Sequence, residues 1–411
     1  MKRFGLILVL LPVLAALAGC ATTQPVYHEA MGAFGAGRYR IAANKLETLK
    51  SDTNDLNYPI YLLDAAYTSA LIGDDQTAEA YYLAGLKAME QEPSGEITAV
   101  NAISPGEARF YRGDQYERVF AHLFLGRVYF RRGQYNDARI EFQKADELDI
   151  SADNQTEHDV TLAHYLLGES YLRLDDANDA AVAFRNVARL RPEFPYSYYE
   201  LARLARGRGD FDEAERYYRD YLQRDKNPAP LPLKDDDVQT GVLAVVVDLG
   251  DGPYRAGGAT NQKEPADYPE KGARITVNGR DYLTYKLDAV LPHARHEAGK
   301  TVHAAKEAGL TAARRVLEYY AYKKTGVLIL TDERDNRRLN TMPGEFQMVE
   351  IPLPPGVYQV QMNLLDAGRS PLRTQNIGGV RIQRGEKNYL FLRGWTGWHP
   401  PGGMAEPDRQ Y

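Results

Sequence analysis

From Tyr27 to about Asp225 apolar residues recur three or four positions apart, as on one face of a helix, and beyond Asn227 they alternate with polar residues in short runs. The helical half repeats itself. In LGRVYFRRGQYNDARIEFQKA, the residues Leu125-Gly126, Tyr129, Gly133, Tyr135, Ala138, Phe142 and Ala145 hold fixed offsets. The offsets return at Leu167-Gly168, Tyr171, Ala180, Phe184 and Pro192, and again at Leu201-Ala202, Gly209, Phe211, Ala214 and Tyr218. Weaker copies surround Gly37-Arg38-Tyr39 with Ala42 and Leu46, and Gly73 with Ala78 and Tyr82. Small residues at Gly126 and Ala138 let two antiparallel helices approach, and the Tyr and Phe positions fill the space between neighbouring pairs. The pattern predicts about five helix pairs, with the acidic stretch Ser151 to Asp159 inserted between two of them. After the proline-rich NPAPLPLKDDD the period changes. GVLAVVVDLG reads as a buried strand and ARITVNG as a strand entering an Asn-Gly turn; EFQMVEIPLPPGVYQVQMNLL gives two strands about Pro354-Pro355-Gly356, and VRIQRGEKNYLFLRG a closing hairpin. A helix over roughly 293–324 interrupts these strands.

The offsets of the helical half resemble the tetratricopeptide repeat. The predicted fold class is therefore α+β in two domains, a tetratricopeptide-like α-solenoid followed by an immunoglobulin-like β-sandwich with an inserted helix. By that resemblance, fixed positions of each first helix line a concave groove. Here they bring together Arg127, Arg131, Tyr165, Arg173, Tyr199, Arg203 and Arg206 as the candidate partner-binding residues. Guanidinium forks favour carboxylates and phosphates, and tyrosine adds rigid contact area, so the expected occupant is an acidic or extended protein segment.

The first residues, MKRFGLILVLLPVLAALAGC, have a basic start, an apolar run from Leu6 to Ala18 and a small-residue ending, the form of a secretory signal. Leu17-Ala18-Gly19-Cys20 resembles the lipobox of bacterial lipoproteins, which implies lipidation of Cys20. The same resemblance, with Ala21 rather than aspartate following, implies the periplasmic face of the outer membrane. Cys20 is the only cysteine in the chain, so no disulfide or thiolate metal site is expected. The expected organisation is a signal peptide over 1–19, a helical repeat domain over 20–226, a linker over 227–240, a β-sandwich over 241–394 and a flexible tail over 395–411. The formal charge of −6 falls to −8 once Lys2 and Arg3 leave, which argues against nucleic acid as a partner.

YRGDQYERVFAHLFLGRVYFRRGQYNDARIEFQKADEL resembles a block found in a family of bacterial envelope lipoproteins that join such repeats to a C-terminal β region; Gly113, Asp114, Tyr116, Glu117 and Arg118 match its pattern. The tripeptide Arg112-Gly113-Asp114, an adhesion ligand in flexible extracellular loops, reads here as a turn and N-cap. The family also carries a turn before a Leu-Pro, which Asp335, Arg337 and Met342-Pro343 match in part. The resemblance implies a lipid-anchored periplasmic scaffold or adaptor in envelope assembly or maintenance, without enzymatic activity. A peptidoglycan- or glycan-acting protein is the alternative, with Trp395 and Trp398 placed to stack on sugar rings. Partners would be envelope proteins, peptidoglycan as a possible further one, and the membrane through the lipid anchor only. Neither cofactor nor metal is expected. Ala294 replaces the first glycine of a P-loop-like stretch ending Gly299-Lys300-Thr301, and His293, His296 and His303 read as a solvated helix face.

Overall fold

The computed structural model describes residues 23–397 except 54, 91–109, 150–159, 232–238, 256–262, 265, 267 and 295–336. Cys20, Asp335, Trp398 and most of the predicted 293–324 helix lie outside the described residues. Ten helices make five antiparallel pairs: α1 (23–35) with α2 (Tyr39–Leu49), α3 (Tyr58–Leu71) with α4 (Asp75–Glu90), α5 (Gln115–Arg131) with α6 (Tyr135–Asp149), α7 (Thr161–Arg173) with α8 (Ala177–Leu190), and α9 (Pro195–Gly207) with α10 (Phe211–Arg224). Each pair turns on one residue in the left-handed region: Gly37, Gly73, Gly133, Asp175 and Gly209, with φ from 60° to 81°. Glycine reaches that region without a Cβ penalty, and the residue after each turn donates its N–H back to the first helix, as Gln134 does to Tyr129 at 3.0 Å.

The small residues of the repeat are fixed by packing. A Cβ at Gly126 would lie 2.5 Å from the Phe142 ring, and one at Gly168 2.8 Å from Phe184. The helices of these pairs touch at contact distances that only glycine permits.

The β-domain has two four-stranded sheets. One runs β10-β1-β7-β6 and the other β5-β4-β8-β9, from β1 (Gly241–Leu249), β4 (Gly272–Val277), β5 (Arg280–Leu283), β6 (Tyr285–Ala289), β7 (Glu345–Leu353), β8 (Gly356–Leu365), β9 (Pro371–Ile382) and β10 (Lys387–Gly394). A small ribbon of β2 (Tyr254–Arg255) and β3 (Lys263–Glu264) stands apart. β1 pairs parallel with β10, and the other pairings within the two large sheets are antiparallel.

Burial along the strands reveals the layering. β1 and β7 are buried at nearly every position, whereas β8 and β9 alternate between covered and open. A strand buried on both faces needs a layer on each side. One face of the β1/β7 sheet packs on its partner sheet, and the other takes the helical pairs. Phe120 of α5 stacks on Phe346 of β7 at 5.6 Å, Phe130 meets Tyr389 of β10 at 5.1 Å, and Tyr196 of α9 meets Tyr285 of β6 at 5.8 Å. The continuous run Leu243 to Val247 is thus a central strand of a three-layer molecule: helices, sheet, sheet.

Trp395 differs from the expected flexible tail. It is 3% exposed, its ring lies 5.3 Å from Phe34 of α1, and its carbonyl accepts from Arg373 at 3.1 Å. A buried indole so held is part of the core, and its stacking face is closed to a sugar.

Asp114 precedes α5 in extended conformation, its carboxylate facing the N–H three residues on while Glu117 accepts the Asp114 N–H at 2.7 Å. This reciprocal capping box places Arg112-Gly113-Asp114 at a helix start. Asp114→Ala should lower unfolding free energy by about 1 kcal/mol in urea titrations.

Candidate functional site on the concave face of the repeats

The first helices of the repeat pairs do turn one face inward, and the β-domain occupies the space they enclose. Arg127 donates from one nitrogen to both oxygens of Asp248 in β1, at 2.9 Å each, and its guanidinium lies 4.3 Å from the Phe391 ring of β10. Tyr67 of α3 donates to the same carboxylate at 2.6 Å. Asp248 is fully buried, and a buried carboxylate stays charged only when paired in this way. Tyr165 donates to Glu350 of β7, and Arg173 donates to the Lys387 carbonyl at 2.8 Å.

The remaining predicted residues face other ways. Arg131 holds Asp75 and the Ala70 carbonyl within the solenoid, both at 3.0 Å. Tyr199 donates to the Pro230 carbonyl of the linker at 3.3 Å, and Arg203 pairs with Glu200 at 2.9 Å. No hydrogen bond from Arg206 to the β-domain is found among the described residues. Thus the structure brings Arg127, Tyr165 and Arg173 together on one surface, and what that surface holds is this chain's own β-sheet.

At the centre of the interface Lys387 Nζ lies 2.7 Å from Glu169, 2.6 Å from Glu200 and 2.9 Å from Glu350. Glu169 belongs to α7, Glu200 to α9 and Glu350 to β7, so a single ammonium bridges two repeats and the sheet. The three carboxylates have oxygens within 4.8 Å of one another, a spacing able to hold a metal ion, and the ammonium sits where that cation would sit. Arg203 reaches Glu200 as well, at 2.9 Å, and two positive charges still do not balance three negative ones. Burial pushes the Glu350 carboxyl up to about 7; Lys387 opposes the rise, and the carboxylates of Glu200 and Glu169 add to it. The cluster therefore holds an extra proton just below neutral pH.

Two further ties were not foreseen. The turn 337–342 docks on the first helices: Arg337 donates to the Leu56 carbonyl at 3.1 Å, Thr341 Oγ1 to Asp64 at 2.7 Å and the Leu339 N–H to Glu117 at 2.9 Å. Glu117 also accepts from Tyr111. The family-like block at 113–118 and the family-like turn therefore meet, and Glu117 joins them by capping its own helix with one oxygen and receiving the turn with the other. His293, expected on a solvated face, is 4% exposed; its Nδ1 lies 2.9 Å from Asp149 at the end of α6 and its Nε2 3.2 Å from Asp288 of β6.

The missed residues share a sequence signal. Asp248 stands alone in VLAVVVDL, Glu350 in FQMVEIPL and Asp64 in YLLDAAY. A lone charge within a continuously apolar run must be neutralised by another element.

Residues 121–149 and 165–229 each match the tetratricopeptide repeat family. The chain thus carries tetratricopeptide repeats in its helical region, ahead of a β-sheet region. No curated protein matches it. Among solved structures, a crystal structure of MamA is similar at 20% identity over 46% of this chain and 90% of that one, with a TM-score of 0.34. Another, MamA 41-end from Desulfovibrio magneticus RS-1, is similar at 17% identity over 49% of this chain and 93% of that one, with a TM-score of 0.36. Repeats of this type build protein-interaction scaffolds, the class to which the helical half points.

Proposed function

We propose that the protein is a lipid-anchored scaffold or adaptor of the bacterial envelope, tethered through Cys20 at the periplasmic face of the outer membrane, that acts by binding a protein partner without catalysing a reaction. The observation that carries the scaffold reading is the occupied groove. Arg127, Tyr165 and Lys387 lock repeats and sheet together through buried ion pairs and hydrogen bonds, so the two domains form one preassembled unit. A groove filled in this way is closed to an extended segment in trans, and partner recognition falls to the outer faces of the unit. Exposed apolar side chains there include Leu83 of α4, Ile140 of α6 and Val182 of α8.

Photo-crosslinking residues incorporated in the cell test this. Crosslinkers at Arg127 and Tyr165 should yield only intramolecular products with β1, β7 or β10, whereas Leu83, Ile140 or Val182 should capture a second protein. Capture of another protein from the groove positions would overturn the closed-groove reading. Loss of palmitate labelling and of membrane association in Cys20→Ser tests the anchor.

A further inference from the structure

Where the last repeat meets the β-domain, a cleft of about 360 Å³ opens between the segment 225–227 that follows α10, β5, β6 and the β8–β9 turn. We infer that this cleft is a binding site for a small carboxylate-bearing molecule, about the size of a dipeptide or a sugar acid. The volume lies at the lower end of that of small-ligand sites, and a junction between domains is a common place for them.

The charges decide the sign of the ligand. Three carboxylates line the cleft, and each already has partners in the chain. Asp225 accepts from Tyr221 at 2.8 Å, from Asn227 at 3.0 Å and from Tyr285 at 3.1 Å. Asp281 accepts from Thr276 at 2.7 Å, and Glu350 accepts from Lys387 at 2.9 Å. The three cations are less committed. Arg274 reaches Asp281 only at 3.4 Å, and the Lys226 ammonium and Arg369 guanidinium have no partner among the described residues. Lys226 and Arg369 thus leave donor capacity open in the cleft, which favours an anion. The lining has three cations and three carboxylates and is formally neutral, so a singly charged ligand is less unfavourable than a doubly charged phosphate.

The backbone presents Arg369 in an uncommon way. Its φ is 64°, in the left-handed region that favours glycine, although Gly368 stands beside it. The Asp366 N–H donates to the Ser370 carbonyl, and the Arg369 N–H to the Asp366 carbonyl, both at 3.0 Å, so the turn is fixed. The turn thereby fixes the backbone from which the Arg369 side chain leaves. Opposite it, the Lys226 N–H donates to the Tyr285 hydroxyl at 3.0 Å, which anchors the solenoid end of the cleft. Val349 and Leu365 give the floor an apolar patch for the body of the ligand. A carboxylate bridging Lys226 and Arg369 would span solenoid and sandwich.

Calorimetric titration of the full chain in detergent tests the site, with N-acetyl-dialanine against its C-terminal amide, and glucuronate against glucose. At least one of the two acids should bind, its neutral counterpart about tenfold more weakly, and Arg369→Gln or Lys226→Gln should weaken the acid by a similar factor. Both side chains are exposed, so folding is preserved, which circular dichroism checks. Binding of only the peptide or only the sugar acid identifies the source of the carboxylate. Equal binding of acid and neutral form, no binding of either acid, or unchanged binding in both variants overturns the assignment.

Discussion

Lys387→Met is expected to destabilise the folded chain by about 3–5 kcal/mol at pH 8, the cost of leaving buried carboxylates without their counterion. Among the described residues Lys387 is the cation shared by Glu169, Glu200 and Glu350, with Arg203 reaching Glu200 alone at 2.9 Å, and all three acids are almost fully buried. Methionine fills a similar volume, so the loss is electrostatic rather than a cavity. The penalty should shrink as pH falls, because the orphaned acids neutralise by protonation. The measurement is the urea midpoint of wild type and variant at pH 5 and pH 8, followed by tryptophan fluorescence, to which Trp395 at the α1 contact contributes. A second variant, Lys387→Met with Glu350→Gln, should recover part of the loss, since it removes one of the stranded charges. If Lys387→Met unfolds at the same urea concentration as wild type at both pH values, the ammonium is not what holds repeats and sheet together.

Much of the architecture is legible in the sequence because it rests on local rules. Gly126 and Gly168 announce close helix approaches, the glycines at 37, 73, 133 and 209 announce turns, and the change from helical to alternating spacing near Asn227 announces the second domain. Asp175 takes the same left-handed turn without a glycine, and only the register of its neighbours marks it. The relation between the domains is not local. An arginine facing a groove looks the same whether its carboxylate comes from another protein or from Asp248, 121 residues along the same chain. In the folded chain Arg127 meets an acidic residue on a strand, and tertiary folding decides that this strand is the chain's own β1. His293 shows the same limit from the other side. Its spacing to His296 and His303 suggests an amphipathic face, but Asp149 and Asp288, far apart in sequence, decide its environment.

That environment gives the second large effect, a loss of stability between neutral pH and about pH 10. Burial alone would push the His293 imidazole down; the charge of Asp288 and the hydrogen bonds to Asp149 and Asp288 more than reverse this and raise it to about 10. In the unfolded chain the same group titrates near 6.5. Between these values the folded state carries one more proton, so the contribution is complete below pH 6.5 and disappears as pH rises through 10. The slope approaches about 1.4 kcal/mol per pH unit within that window, and the whole contribution is on the order of 3–5 kcal/mol. Other groups pressing on the ring leave the sign unchanged: Phe120 is neutral, and Arg191, 3.5 Å from Asp288, keeps its charge throughout. Glu350 adds a loss of the same direction, spread between its ordinary value of 4.5 and about 7, so it is largely spent before the histidine window is half crossed. Unfolding free energies at pH 6.5, 8 and 9.5 should fall steadily, and an NMR titration of the His293 ring in the folded protein should show no midpoint below pH 8. His293→Gln should be less stable than wild type at pH 6.5 and should lose most of the slope above pH 7. A flat profile across the window, or an undiminished slope in His293→Gln, would mean that the link between α6 and β6 does not depend on a protonated histidine.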